Sequence, residues 1–291
     1  MSTSRRRIPV LLFLSCLVAI FLLTLSAVSG TKPPARQGAP QTDQEREAQH
    51  ALNQGVQAYK NGQNKDAEQY FLRAKQLDPR SINARLYLAT AYASQYIPGA
   101  PSEENSAMGG AATEEFKGVL ELDPQNISAM DGLGSLLFQL AGQPFSPDLL
   151  TESKSYNQRH IQIKPDDPEP YYWIGVIDWT LAFRANGELR EHVNRQTRGQ
   201  ELEPAAPLPR DLREQYAREY GPTIEEGIES LKRAISLKPD YQDAMAYLNL
   251  LYRRKADVVA RDDEREELLE MADDLVDRVK EINTQRAQPH P

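Results

Sequence analysis

At 291 residues, with 40% hydrophobic side chains, the chain can bury the core of one or two domains and is too apolar for disorder throughout. The formal net charge of −8 becomes −11 without the three arginines of residues 1–30, and so acidic a body argues against phosphate-backbone binding. Cys16 is the only cysteine, so the body forms neither a disulfide nor a thiolate metal site.

The N-terminus reads "SRRR" and then a run without charge from Ile8 to Gly30. This is an export signal or a membrane anchor, predicted as a hydrophobic helix. A cleaved signal has an apolar core of about 7–15 residues, and spanning a bilayer takes about 20. The run sits at the longer end, yet Ala27-Val28-Ser29 offers the small residues of a cleavage site. An inner-membrane anchor over residues 8–28 and a signal released near residue 29 both place the remaining chain on the periplasmic side of a bacterial envelope, with the arginines left inside. The long apolar continuation after Cys16 disfavours a lipoprotein box there, and "SRRRIPV" lacks the Phe-Leu of a twin-arginine signal. Residues 31–46, rich in Pro, Gln and polar side chains, predict a flexible linker.

Residues 48–81 carry Gly55, Tyr59, Gly62, Ala67, Tyr70, Phe71, Ala74, Leu77 and Pro79 across two helical segments. The endings "QLDPRS", "ELDPQN", "QIKPDD" and "SLKPDY" then recur, with prolines at 79, 124, 165 and 239, spaced 45, 41 and 74 apart. After each proline comes an apolar run of helical period: "ARLYLATAY", "AMDGLGSLLFQL", "YYWIGVIDW" and "AMAYLNLLYRRKA". This pattern resembles the tetratricopeptide repeat (TPR), whose unit is about 34 residues. Small Gly55, Ala67 and Ala74 would let two antiparallel helices approach, Phe71 would fill the space between repeats, Gly62 would make the turn, and Asp78-Pro79 would end the second helix.

The expected fold is therefore all-α, a TPR-type α-solenoid of about five repeats near 48–81, 82–126, 127–167, 168–241 and 242–260 onward. The spacing beyond the repeat length falls between the helices of a pair. The first two excursions read as lengthened second helices, with Ser102 and Ser146 as caps and Pro147 in the first turn. The third, 181–222, mixes charged residues, the break "PAAPLP" and a probable helix "RDLREQYAREY"; solvated charge or a functional insertion both account for it. Residues 261–285 carry Leu268, Leu269, Ala272, Leu275, Val276 and Val279 as one stripe and predict a C-terminal capping helix, followed by a disordered tail at 286–291.

The resemblance implies a concave groove lined by the first helices, which in this family holds a peptide or a partner's helix. Carried over repeat by repeat, its positions are Tyr59 and Lys60; Asn83, Thr90 and Ser94; Asp131, Ser135 and Phe138; Tyr172, Val176 and Trp179; Arg253 and Arg254. On the aromatic stretch 171–179, Tyr171, Ile174, Gly175 and Asp178 are expected to face the paired helix, while Tyr172, Val176 and Trp179 share the opposite face. Trp179 would serve either as a groove anchor or as packing under the third excursion. The clamp for a C-terminal carboxylate wants Lys and Asn where this chain has Leu52 and Val56, so the likeness stops short of that ligand.

The histidines at 50, 160, 192 and 290 share no ligand spacing, and no G-x-S-x-G, H-E-x-x-H or phosphate-binding glycine loop occurs. No cofactor, metal or nucleic acid is expected. Asp178 is expected to be a buried acid paired with an arginine, and "NIS" at 126–128 a turn and helix cap in preference to a glycosylation acceptor. The expected function is a non-catalytic protein-interaction scaffold outside the cytoplasm, with a protein or peptide as partner and the membrane as contact for the N-terminal segment. A structural envelope subunit acting through the terminal helix, and an enzyme or carrier built on 181–222, are the alternatives.

Overall fold

The computed structural model describes residues 42–197, 202 and 206–287. The expected hydrophobic helix over 8–28, its export or anchoring role, most of the linker and the last residues of the tail lie outside that set. Among the described residues ten helices follow one another: α1 (Asp43–Lys60), α2 (Asn64–Leu77), α3 (Ile82–Gln95), α4 (Glu103–Leu122), α5 (Ile127–Leu140), α6 (Pro147–Ile163), α7 (Pro168–Gln196), α8 (Arg210–Leu237), α9 (Gln242–Ala256) and α10 (Asp262–Ala287). Consecutive helices pack as five hairpins, and each hairpin packs on the next.

Local chemistry starts the helices where polar caps precede apolar periods. Ser81, Ser102, Asn126, Ser146 and Asp167 each accept a backbone N–H of the first turn. Asn126 is thus the cap expected of "NIS". Thr42 and Glu45 form a reciprocal capping box, so residues 43–46, predicted as linker, belong to α1 instead. Gly62 turns the chain between α1 and α2 with φ of 74°, a conformation that favours glycine.

Close helix pairing uses small residues. A Cβ on Gly55 would stand 2.4 Å from Phe71, and one on Gly175 2.3 Å from Leu231. Phe71 is fully buried and also stacks on Tyr87 of α3 at 5.5 Å, which fills the space between the first two hairpins. Polar bridges join neighbouring helices as well: Glu115 of α4 is held by Lys75 of α2 and Arg85 of α3.

The third excursion departs from its expected form. Residues 181–196 simply continue α7, and α8 runs unbroken from Arg210 through Pro222 to Leu237. Pro222 lacks the N–H that would bond four residues back, but the remaining turns and the packing of Tyr216 and Ile224 beside it hold the helix. The fully buried Tyr216 donates its hydroxyl to the Ala182 carbonyl at 2.8 Å, binding the two extensions together. Likewise α10 is the antiparallel partner of α9, through buried Leu268 and Ala272 and the bond from Asn249 to the Ala272 carbonyl.

The hairpins curve. Odd-numbered helices meet one another directly, α1 with α3, α3 with α5, and α7 with α9; among the described residues the even-numbered helices make no comparable approach. The closer spacing puts the odd helices on the inner side, as expected of a solenoid.

Candidate functional site

All thirteen groove positions carried over from the repeat fall on odd helices, but they differ in what they can present. On α1 and α3, Lys60, Asn83 and Ser94 are exposed, while Tyr59 packs against the first core cluster. The hydroxyls of Thr90 and Ser94 donate to carbonyls of their own helix, at Leu86 and Ala91. On α5, Ser135 and Phe138 are half-buried, and Asp131 lies 2.7 Å from Nδ1 of the buried His160. The groove positions of this half are mostly polar, with Lys60 and Asp131 as their charged side chains.

Two expected positions, Val176 and Arg254, do not line an open surface, and a third, Arg253, is engaged in an exposed ion pair. Val176 is 2% exposed, so it is buried and cannot present the groove surface that its i, i+4, i+7 place implies. Arg254 is drawn into a buried network with Asn186 at 2.9 Å and Asp257 at 3.0 Å. Arg253 binds Asp273 of α10 at 2.6 Å and Asn249 at 3.2 Å. The charges of both arginines serve the fold.

The C-terminal half carries an aromatic belt that crosses three inner helices. Phe138 of α5 meets Trp173 of α7 edge-on at 5.6 Å, and Trp173 meets Tyr172 at 5.4 Å. Tyr172 contacts Tyr241, at the start of α9, and Tyr247 within it, at 5.1 and 5.8 Å. Tyr247 then meets Trp179 at 5.3 Å, and Trp179 stacks on Phe183 at 5.0 Å. Centroid spacings in this range are those at which aromatic pairs attract beyond their buried area. Phe183 is 40% exposed, and the rest of the belt is half-buried except Tyr241, which is buried. Trp179 therefore packs as one of its two expected roles requires. It is packed by the first residues of the excursion, but Phe183 extends the aromatic surface along α7 and remains open.

Two carboxylates border the belt. Glu169 accepts Nε1–H of Trp173 at 3.1 Å and the Tyr241 hydroxyl at 2.8 Å. Asp243 lies near enough that, after burial, its charge helps hold the Tyr172, Tyr241 and Tyr247 phenols above their ordinary range. Lys238 Nζ stands 4.3 Å from the Tyr241 ring centroid. Trp173, Tyr241, Tyr247, Phe183, Glu169 and Asp243 are not among the repeat-derived positions. The signal for Tyr247 was present: it stands in the same place after Pro239 as Trp173 does after Pro165.

Beneath the belt, Asp178 is fully buried and its partner is Lys154 of α6, at 2.7 Å, where an arginine was expected. Lys154 also binds Glu226 of α8 at 2.9 Å. Burial lifts the Asp178 carboxyl to about 7 against the pull of Lys154, and its Oδ2 has no hydrogen-bond partner. This triad connects three helices inside the stack. No group of three or more metal-ligating side chains comes together, and no helix is long and apolar enough to cross a membrane, among the described residues.

No known family model matches the chain, and no curated protein matches it. Solved structures do. A crystal structure of MamA protein is 16% identical and superposes with a TM-score of 0.55 over 84% of this chain and 98% of its own. MamA from Desulfovibrio magneticus RS-1, beginning at its residue 41, is 15% identical with a TM-score of 0.55, covering 86% of this chain and 100% of its own. YrrB, described as a TPR protein with an unusual peptide-binding site, is 15% identical with a TM-score of 0.51, covering 84% and 94%. At such identities the likeness establishes the fold, an all-helical TPR solenoid, and nothing finer.

Proposed function

We propose that this chain is a non-catalytic scaffold that holds a partner protein's peptide or helix against its concave face, outside the cytoplasm, with its N-terminus anchored in the membrane or released from it. The observation that carries the reading is the continuous belt of seven aromatic side chains, Phe138, Tyr172, Trp173, Trp179, Phe183, Tyr241 and Tyr247, across α5, α7 and α9. Aromatic groups with a wet edge are the commonest anchors of protein interfaces, and here they lie on the inner side of a solenoid, where a partner meets several repeats at once. The peptide-binding site ascribed to YrrB is consistent with such use of the fold. The terminal helix is less suited to this role: on α10 the large apolar side chains left exposed are Met271 and Val276.

The test pairs Trp173→Ala with Phe183→Ala in the full chain and measures partner retention alongside thermal unfolding. Retention should fall at least about tenfold, the scale of one lost hot spot, with cooperative unfolding preserved. Undiminished retention would exclude the belt as the contact. For localisation, a C-terminal reporter that is active only outside the cytoplasm should be active, and an inactive one would overturn the export reading.

A further inference from the structure

Glu169 and Asp243 occupy equivalent places, four residues after Pro165 and Pro239, in the first turns of α7 and α9. The same place holds Asn83 in α3 and Ser128 in α5, two helices that form with no acid at all in their first turns. Favourable interaction with the helix dipole is therefore not a requirement of these inner helices, and of the four that follow such a proline only α7 and α9, which carry most of the belt, have an acid at this place. Glu169 is moreover aimed: Trp173 and Tyr241 hold its two oxygens from opposite sides, at 3.1 and 2.8 Å. The charged groups facing this part of the belt are Glu169, Asp243 and Lys238, and Lys238 already lies over the Tyr241 ring. The fixed charge that remains is negative, beside electron-rich ring faces. Both features attract a cation, and a cation over an aromatic face gains most where it is partly desolvated.

We propose that the belt selects a partner segment in which a lysine or arginine stands next to aliphatic or aromatic side chains, the apolar groups meeting Trp173, Trp179 and Phe183 and the cation lying between Glu169 and Asp243. This rests on the concave-face reading and adds the chemical class of the partner. The opposite inner half presents Asn83, Thr90 and Ser94 together with the exposed Lys60, so its charge at these positions is positive and does not favour a cation. A segment bound along the groove thus meets its specific contacts at the C-terminal repeats.

The experiment uses a built-in reporter, because Trp173 and Trp179 are the only tryptophans of the chain and both belong to the belt. The full-length protein in lipid nanodiscs is titrated with three synthetic peptides, GSLFKALFSG and its versions with Gln or Glu in place of Lys, while tryptophan emission is followed. The Lys peptide should bind about tenfold more tightly than the Glu peptide, with the Gln peptide between them. The difference should shrink with added salt and vanish in the double variant Glu169→Gln, Asp243→Asn. Glutamine keeps an oxygen for Trp173 or Tyr241, and an unchanged melting profile verifies the fold. Equal affinity for all three peptides overturns the charge selection and leaves the groove reading standing. If none of the peptides changes the emission, both fail together.

Discussion

Gly175 and Gly110 are both helical glycines, yet alanine should act on them with opposite sign. At Gly175 the new methyl would meet Leu231 Cγ at 2.3 Å inside the core, and Cγ cannot swing away as a side-chain tip can. Overpacking of about 1–3 kcal/mol exceeds the propensity gained on replacing glycine, about 1 kcal/mol, so Gly175→Ala should lower stability in urea unfolding. At Gly110 nothing lies within 4 Å, and Gly110→Ala should raise stability by about 0.5–1 kcal/mol. Asp178 gives a second residue-scale test. Its folded-state carboxyl titrates at about 7, whereas an unfolded aspartate titrates near 3.9. The folded state therefore holds a proton that the unfolded state has released. Stability from this group is fully present below the unfolded value and is lost as pH rises through about 7. The melting temperature should fall between pH 5 and 8 more in the wild type than in Asp178→Asn, where Lys154 still pairs with Glu226. Identical pH profiles would show that the burial of Asp178 has no such consequence.

Helix α8 carries the prediction that belongs to elements. Pro222 sits within an unbroken 28-residue helix and is itself exposed, so Pro222→Ala restores a backbone hydrogen bond without disturbing the core. Stability should rise by about 1–3 kcal/mol, read from chemical unfolding. A loss would mean that the proline's shape is required at this point. How legible each element was in the sequence follows from the reach of the forces that set it. Ser102, Ser146 and Asn126 act within one turn and were readable as caps, and Gly55 with Phe71 obeys a repeat-long rule. Thr42 and Glu45 also act locally, but the polar composition around them concealed the box. The third excursion was expected to end at 222, and packing of the flanking turns against α7 carries α8 through that point. Val176 and Arg254 were expected to line the groove, and the one is buried while the other is drawn into a buried network. Whether a side chain is available depends also on what another repeat brings to it, as Asn186 of α7 does for Arg254 of α9. Periodicity within one helix contains no information about that neighbour.

At the scale of the whole molecule, curvature and chemistry coincide. Odd helices approach one another, α1 with α3, α3 with α5 and α7 with α9, and the aromatic belt lies on odd helices, mainly α7 and α9. The long α7–α8 hairpin extends that surface through Phe183 instead of covering it, while the Asp178–Lys154–Glu226 triad fixes α6, α7 and α8 beneath. The framework positions the belt; the belt presents the contacts. The most direct measurement is site-specific photocrosslinking in the native cell, with the photoreactive residue at Phe183 on the inner face or at the exposed Lys232 on α8. A discrete protein adduct from position 183, absent from position 232 and reduced by Trp173→Ala, is the predicted result. Adducts that form from position 232 and not from position 183 would contradict it.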